Sequence, residues 1–371
     1  MRGSIRLFNI FGISINIHVT FFLLLLLFLA SGVRSLVLVI GVFFIVTLHE
    51  LCHSLVARRF GIEVREITLL PIGGLASMTR MPEKPSHEFF ISLAGPLSNI
   101  ALLGIFFFPM RLILGDYVLF HPLSVATWPL TFAHIYWINL ALAIFNLIPA
   151  FPMDGGRILR AVLSQRIGYQ KATKIAVNFG HIFALIFGYL GITRMHLMLI
   201  AIAIFIYMAA SGEELQVDIK ETLKKFRIRD ILRREFLTVA HDATIAHLLE
   251  LIFRSHQEDF PVMAFDRAVG FITRQDVIMN MRDAGRDSVL VRDVMRKDFP
   301  RAGEDDTLMK AKALMEEKDI RALPVFRGDV VTGVITLEDI SRVYALIGAG
   351  GAADDGKKNT YSSEYTVGGL F

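Results

Sequence analysis

The stretch Ser35-Leu36-Val37-Leu38-Val39-Ile40-Gly41-Val42-Phe43-Phe44-Ile45-Val46-Thr47-Leu48-His49-Glu50-Leu51-Cys52-His53 decides the class of the molecule. From Ser35 to Leu48 it carries no ionisable side chain, and then two imidazoles, a carboxylate and a thiol arrive within five residues. At ~1.5 Å per residue an apolar helix of this kind crosses much of a ~30 Å hydrocarbon layer. Similar runs surround it: Leu7 to Val33 before, and Phe89 to Met110, Tyr117 to Met153, Ile175 to Thr193 and Met195 to Gly212 after. The run from Tyr117 is too long for one crossing, and Pro122 and Pro129 mark its first third as an extramembrane loop. Six spans are expected, with Ser35 to His49 the second. The N-terminal run also has the look of a signal peptide, but no small-x-small cleavage site followed by a soluble domain appears, and further spans follow.

Charge is distributed to match. Of 39 Lys+Arg and 35 Asp+Glu, residues 1–212 hold 15 and 7 and the remainder 24 and 28, so that +8 and −4 make up the net +4. An apolar share of 54% with a single cysteine excludes a wholly soluble enzyme, a disordered chain and a disulfide-built secreted domain. The arginines of the first half lie between apolar runs rather than in one patch, which argues against a nucleic-acid partner. Basic residues gather at the N-terminus (Arg2, Arg6), after the second span (Arg58, Arg59, Arg65, Arg80, Lys84), after the fourth (Arg157, Arg160, Arg166, Lys171, Lys174) and in the C-terminal half. The other connections hold only Arg34, Arg111 and Arg194. A multi-pass protein of the cell membrane with both termini and the charged half in the cytoplasm is expected. Gly61 to Met78 alternates around Gly73-Gly74 and is expected as a strand pair or re-entrant loop at that surface.

Two imidazoles four residues apart on a helix lie on one face about 40° apart, so His49 and His53 can both reach one metal ion at ~2.0 to 2.1 Å. Glu50 between them is placed to polarise or deprotonate a water that the metal activates. The same five-residue pattern also occurs on solvated helix faces of soluble proteins. Within a span, however, a carboxylate costs ~2.5 to 3.5 kcal/mol on insertion scales, and the group calls for compensation that a metal supplies. Cys52 points away from the histidine face and is expected to be a packed thiol. His18, His134 and His181 are lone histidines in or near spans, expected to hydrogen-bond within the bundle.

Tetrahedral zinc with a water needs a third protein ligand. Asn146-Leu147-Ile148-Pro149-Ala150-Phe151-Pro152-Met153-Asp154-Gly155-Gly156-Arg157 ends the fourth span. Its two prolines deny helical hydrogen bonds, so the backbone unwinds near the cytoplasmic interface. Spans two and four run in the same direction, which brings Asp154 to the depth of His49 and His53. The glycine pair permits a turn or a close backbone approach. Asp154 serves equally well as the cap of a helix over Gly155 to Ser164, paired with Arg157 or Arg160. Locally, both readings stay open.

A His-Glu-x-x-His on a membrane helix, followed about a hundred residues later by Asn-x-x-Pro-x-x-Pro-x-Asp-Gly, resembles the site-2 protease family of intramembrane zinc metalloproteases over Met1 to about Gly212. The resemblance implies His49, His53 and Asp154 as ligands of one Zn2+, Glu50 as the general base, and Asn146 as a catalytic residue near the substrate or transition state. Gly95-Pro96-Leu97-Ser98-Asn99 also resembles the family's Gly-x-x-x-Asn element, although a small residue there equally serves helix packing. The implied substrates are membrane proteins: tethered transcription regulators, sigma or anti-sigma factors, or signal-peptide remnants.

From Lys225 the chain repeats itself at one offset. Ile228-Arg229-Asp230-Ile231-Leu232 returns as Val291-Arg292-Asp293-Val294-Met295, and Gly270-Phe271-Ile272-Thr273-Arg274-Gln275-Asp276 as Gly333-Val334-Ile335-Thr336-Leu337-Glu338-Asp339. Each copy has an amphipathic helix (Ile245 to Arg254; Leu308 to Glu317), and in the first copy this leads to strands Pro261 to Ala264 and Gly270 to Ile272, with a further helix after Asp276. The pattern resembles a tandem pair of cystathionine-beta-synthase (CBS) domains. That likeness implies an adenine nucleotide, ATP or AMP, held by Thr273, Asp276, Thr336 and Asp339, and a homodimer formed through the pair. The same threonines and aspartates would equally cap the helices that follow them.

The expected architecture is therefore an α-helical membrane protein: six transmembrane helices in 1–212, a linker at 213–225, and a cytoplasmic α/β tandem CBS pair at 226–284 and 285–347. A tail at 348–371 is expected to be disordered or to bind a partner. The expected function is a zinc-dependent intramembrane endopeptidase that cleaves transmembrane or membrane-adjacent segments, modulated by nucleotide. A CBS-regulated metal-ion transporter or channel using the same four ionisable residues is the alternative.

Overall fold

The computed structural model describes residues 3–71, 73–78, 84–120, 127–255, 257–265, 267–280 and 289–343, and the tail 348–371 lies outside them. The chain divides into two units, Met1–Val217 and Asp218–Phe371.

The first unit opens with strands β1 (Ser4–Ile10) and β2 (Ile13–His18), followed by helices α1 (Val19–Ala30) and α2 (Val33–Arg59). Strands β3 (Val64–Leu70) and β4 (Gly73–Met78) come next, then α3 (Pro85–Phe120), α4 (Trp128–Leu147), α5 (Asp154–Ile167), α6 (Tyr169–Thr193) and α7 (Leu197–Lys225). Among the described residues five helices, α2, α3, α4, α6 and α7, are long and apolar enough to cross a membrane. Their outward side chains, such as Phe44, Phe108 and Leu185, are exposed, as a lipid-facing surface requires.

The expected first span takes another form. Only Val19–Ala30 is helical, roughly 18 Å at ~1.5 Å per residue. The residues before it alternate, with Ile13, Ile15 and Ile17 buried, and pair as a hairpin. Period two over a short apolar run wins over helix here, because Gly12 at φ 80° makes the turn. His18 then caps α1, its Nδ1 accepting from the Thr20 amide.

Gly61 to Met78 is a strand pair, and it joins β1 and β2 in one four-stranded sheet of order β1-β2-β3-β4, with β2 and β3 parallel. This sheet was not legible in the sequence, since its halves are separated by α1 and α2. Strand β4 is its edge, with β3 as its one partner among the described residues. The fourth span is Trp128–Leu147, entered from Thr127, whose hydroxyl accepts from the Leu130 amide. Residues 213–225, expected as a linker, are the last turns of α7.

Among its described residues the second unit holds two three-stranded sheets. The first contains β5 (Val239–Ala240), β6 (Phe260–Ala264) and β7 (Arg267–Ile272), with helices α8 (Ile245–Arg254) and α9 (Arg274–Asn280). After α10 (Val291–Val294), the second contains β8 (Ala302–Gly303), β9 (Ala322–Arg327) and β10 (Val330–Thr336), with α11 (Leu308–Lys318) between β8 and β9. In both, the first strand is parallel and the last antiparallel to the middle one. The offset of 63 residues in the sequence is thus repeated in topology. Each copy buries its own apolar face, around Leu248, Phe260 and Ile272 in the first and Leu308, Leu323 and Ile335 in the second.

Candidate metal centre

Near its C-terminal end α2 carries His49 and His53 on one buried face. The unwound segment after α4 delivers Asp154 as the first residue of α5. His49 Nε2 and His53 Nε2 each lie 3.1 Å from Asp154 Oδ2 and 3.0 Å from one another. His53 Nδ1 donates to the Ile91 carbonyl at 2.6 Å. A carbonyl can only accept, so in the neutral ring Nε2 bears the lone pair and faces inward. A lone pair, a carboxylate oxygen and a second imidazole nitrogen therefore converge on one point. Around a tetrahedral ion with ~2.05 Å bonds, neighbouring ligand atoms stand roughly 3.3 Å apart, close to the separations found. This donor set fits a zinc ion, and it is a group of three potential ligands whose atoms lie within 4.8 Å of one another.

Second-row groups keep the space open. A side chain at Gly95 would begin 2.2 Å from His53 Nε2 and 2.5 Å from His49 Nε2, so only glycine leaves those nitrogens room. The packing explanation of the Gly-x-x-x-Asn element thus becomes a specific one: α3 approaches α2 at the ligand face itself. Gly155 and Gly156 do the same for α5, since added Cβ atoms would meet the Ile148 carbonyl oxygen at 2.2 Å and the Ala150 carbonyl carbon at 2.5 Å. That close approach fixes where Asp154 enters. Neither Arg157 nor Arg160 pairs with Asp154. Arg157 meets Glu213, and Arg160 is held by Glu88 and Glu213. The capping alternative for Asp154 is not what the structure adopts.

A cavity of about 600 Å³ opens on these groups, lined among others by His49, Glu50, His53, Asn146, Asp154 and Arg157. Strand β4 forms one wall, with Gly74 so close that a Cβ there would stand 2.7 Å from Glu50 Cγ. Glu50, Asn146 and the three potential ligands are therefore brought together. The network Glu88–Arg160–Glu213–Arg157 was missed, because salt-bridge partners 53 to 72 residues apart leave no spacing signal.

In the second unit the four sequence-selected residues separate. Thr273 lines one cleft, of about 630 Å³, and Thr336 another, of about 930 Å³. The carboxylates of Asp276 and Asp339 each accept from their own Thr hydroxyl at 2.7 Å and are taken up by Arg296 and Arg233 at 2.9 and 2.7 Å. Burial alone would raise the Asp276 carboxyl, but Arg296 and Thr273 hold it below the ordinary carboxylate range. Arg233 and Arg296 stand at the same 63-residue offset, so the pair is duplicated with the fold.

An apolar helical bundle that gathers two imidazoles and a carboxylate beside a further carboxylate in a cavity defines the class of membrane metallohydrolases. Comparison with known proteins narrows it. Residues 37–123 and 117–187 match the model of peptidase family M50, and 228–283 and 291–346 each match the CBS domain. A zinc metalloprotease of Methanocaldococcus jannaschii is 35% identical over 352 residues, covering 94% of this chain and 98% of that protein. Stage IV sporulation protein FB of Bacillus subtilis is 25% identical over 263 residues, covering 67% and 81%. The solved structure of the site-2 protease from Methanocaldococcus jannaschii shares 42% identity, covering 57% of this chain and 95% of that one, with a TM-score of 0.42. The chain belongs to peptidase family M50, the site-2 proteases: it is a zinc metalloendopeptidase with membrane-spanning helices and two CBS domains. A metal-ion transporter is not favoured.

Proposed function

We propose that the protein cleaves transmembrane or membrane-adjacent segments of other membrane proteins in the cavity between β4 and α5. The observation that carries this reading is the convergence of His49 Nε2, His53 Nε2 and Asp154 Oδ2 within 3.1 Å beside Glu50. His49, His53 and Asp154 would hold the zinc, which when bound supplies Lewis acidity towards the water and the substrate carbonyl. Glu50 accepts the proton of the attacking water and passes it to the departing amine. Asn146 donates its amide to the substrate or the developing oxyanion. The edge of β4, unpaired among the described residues, offers main-chain donors and acceptors to an extended peptide beside Glu50.

The distribution of Lys and Arg supports both ends on the cytoplasmic side, with the short α1 completing six crossings, since five would separate two basic ends. We assign residues 1–212 to the protease, 226–284 and 285–347 to the CBS pair, and to that pair an adenine nucleotide in contact with Thr273 or Thr336. Nucleotide access to Asp276 or Asp339 then requires Arg296 or Arg233 to let go. Two chains associating through their CBS domains belong to the same reading, checked by the mass of the detergent-solubilised particle.

Comparative proteomics of cells expressing wild type and Glu50→Gln tests the function. A membrane protein should accumulate uncut only with the mutant, and identical proteomes would contradict the reading. Tethered transcription regulators, sigma or anti-sigma factors and signal-peptide remnants are the classes in which to look. Calorimetry of the full chain with ATP and AMP tests the nucleotide, and absence of heat with both would refute it.

A further inference from the structure

Arg157 lies one turn beyond Asp154 on α5 and borders the same cavity as Glu50 and Asn146. Its guanidinium has one hydrogen bond among the described residues, from NH2 to Glu213 Oε1 at 3.3 Å. The neighbouring Arg160 is different. It is 3% exposed, clamped by Glu88, and stacked between the rings of Phe151 and Tyr169. Glu213 also reaches Arg160 NH1 at 3.3 Å, so it is anchored from behind. The side chain of Arg157 is one-third exposed. The network is thus closed at its inner end and open at the end that borders the cavity.

A guanidinium has five donors in a planar fork, so one edge can stay on Glu213 while another serves a ligand. The incoming peptide presents amide hydrogens and carbonyl oxygens. One wall of the cavity, the β4 edge, can take both. Glu50, which lies against β4 at Gly74, and Asp154 are acceptors, and a peptide carbonyl facing them needs a donor. Arg157 is the charged donor lining that part of the cavity among the described residues. We propose that Arg157 binds a main-chain carbonyl oxygen of the substrate beside the scissile bond, with Glu213 as its positioning residue. The proposal rests on the metal-centre reading of the cavity.

The test uses full-length enzyme in detergent micelles with fluorescein-labelled casein as the probe, measuring kcat, KM, zinc content and melting temperature. Loss of a hydrogen bond from a charged donor predicts that Arg157→Met raises KM roughly 10- to 100-fold. Zinc content stays that of wild type and kcat changes by no more than about threefold, because the proton-transferring groups are intact. Arg157→Lys recovers part of the affinity, since an ammonium lacks the fork that serves Glu213 and substrate together. Glu213→Gln raises KM less than Arg157→Met does, and lowers the melting temperature more. An unchanged KM in Arg157→Met overturns the proposal. So does a loss of zinc in both Arg157 variants, or a common fall in melting temperature of Arg157→Met and Glu213→Gln at wild-type KM, which would make Arg157 a structural partner only. Should Arg157→Met fail to fold, a wild-type KM in Arg157→Lys overturns it. Wild-type enzyme without zinc, or a Glu50→Gln enzyme that still cleaves, counts against the metal centre instead.

Discussion

Asp154 and the pair Asp276 and Asp339 are carboxylates at or near helix starts, and their surroundings are opposite. Asp154 faces two imidazole nitrogens, one of which, on His53, carries the lone pair in the neutral ring because the other nitrogen meets the Ile91 carbonyl. Asp276 and Asp339 face guanidinium donors and a threonine hydroxyl. An acceptor set turned on itself inside a membrane protein is incomplete without a cation, whereas an acid held by arginine is already satisfied. The same residue type therefore belongs to a cluster of potential metal ligands in one unit and is an arginine-latched acid in the other.

The largest effect should follow from removing one member of the incomplete set. His53→Ala is expected to lose stoichiometric zinc and at least about a thousandfold in cleavage, by metal analysis and peptide assay. Asp276→Ala, made in the satisfied set, should leave both unchanged. An intermediate effect is expected at the wall of the site: Gly95→Ala places a methyl group against both ligand nitrogens and should weaken zinc roughly 10- to 100-fold, read by competition with a chelator.

The smallest effect concerns the latch. Because the folded Asp276 carboxyl lies below its ordinary value, its pairing contributes stability that is present above the unfolded pKa and lost as pH falls through the folded one. Arg296→Ala should cost the second unit about 1 kcal/mol at neutral pH, with the partly exposed pair discounted for solvent, and less at an acid pH below the ordinary carboxylate range. Equal destabilisation at both pH values, in melts of the full chain, would break the comparison from the other side.

The two units were legible for different reasons. His49, Glu50 and His53 announce themselves because ionisable residues at helical spacing within an apolar run have few explanations. Asp154 needed the proline-broken segment as well, and its sequence surroundings left ligation and capping equally open. The second unit was read from its internal repeat, which survives sequence divergence because each copy must bury the same strand and helix faces. The four-stranded sheet and the Glu88–Arg160–Glu213–Arg157 network were not legible, since they are made by contacts between distant segments with no periodic trace. The first apolar run misled in a physical way. Hydropathy summed over Leu7 to Val33 ignores period, and an alternating hairpin that buries Ile13, Ile15 and Ile17, followed by a short apolar helix, gives the same high sum as one long helix. Asp259 shows the same limit. It is a buried acid that accepts from the amides of Arg274, Arg321 and Ala322 and so ties the two CBS copies together, and nothing in its neighbours sets it apart.

The most direct test of the centre is zinc content measured together with cleavage in Glu50→Gln and Asp154→Ala. Glu50→Gln should keep about one zinc per chain and lose cleavage, while Asp154→Ala should lose both. Stoichiometric zinc in Asp154→Ala, or wild-type cleavage by Glu50→Gln, would contradict the assignment of ligand and base.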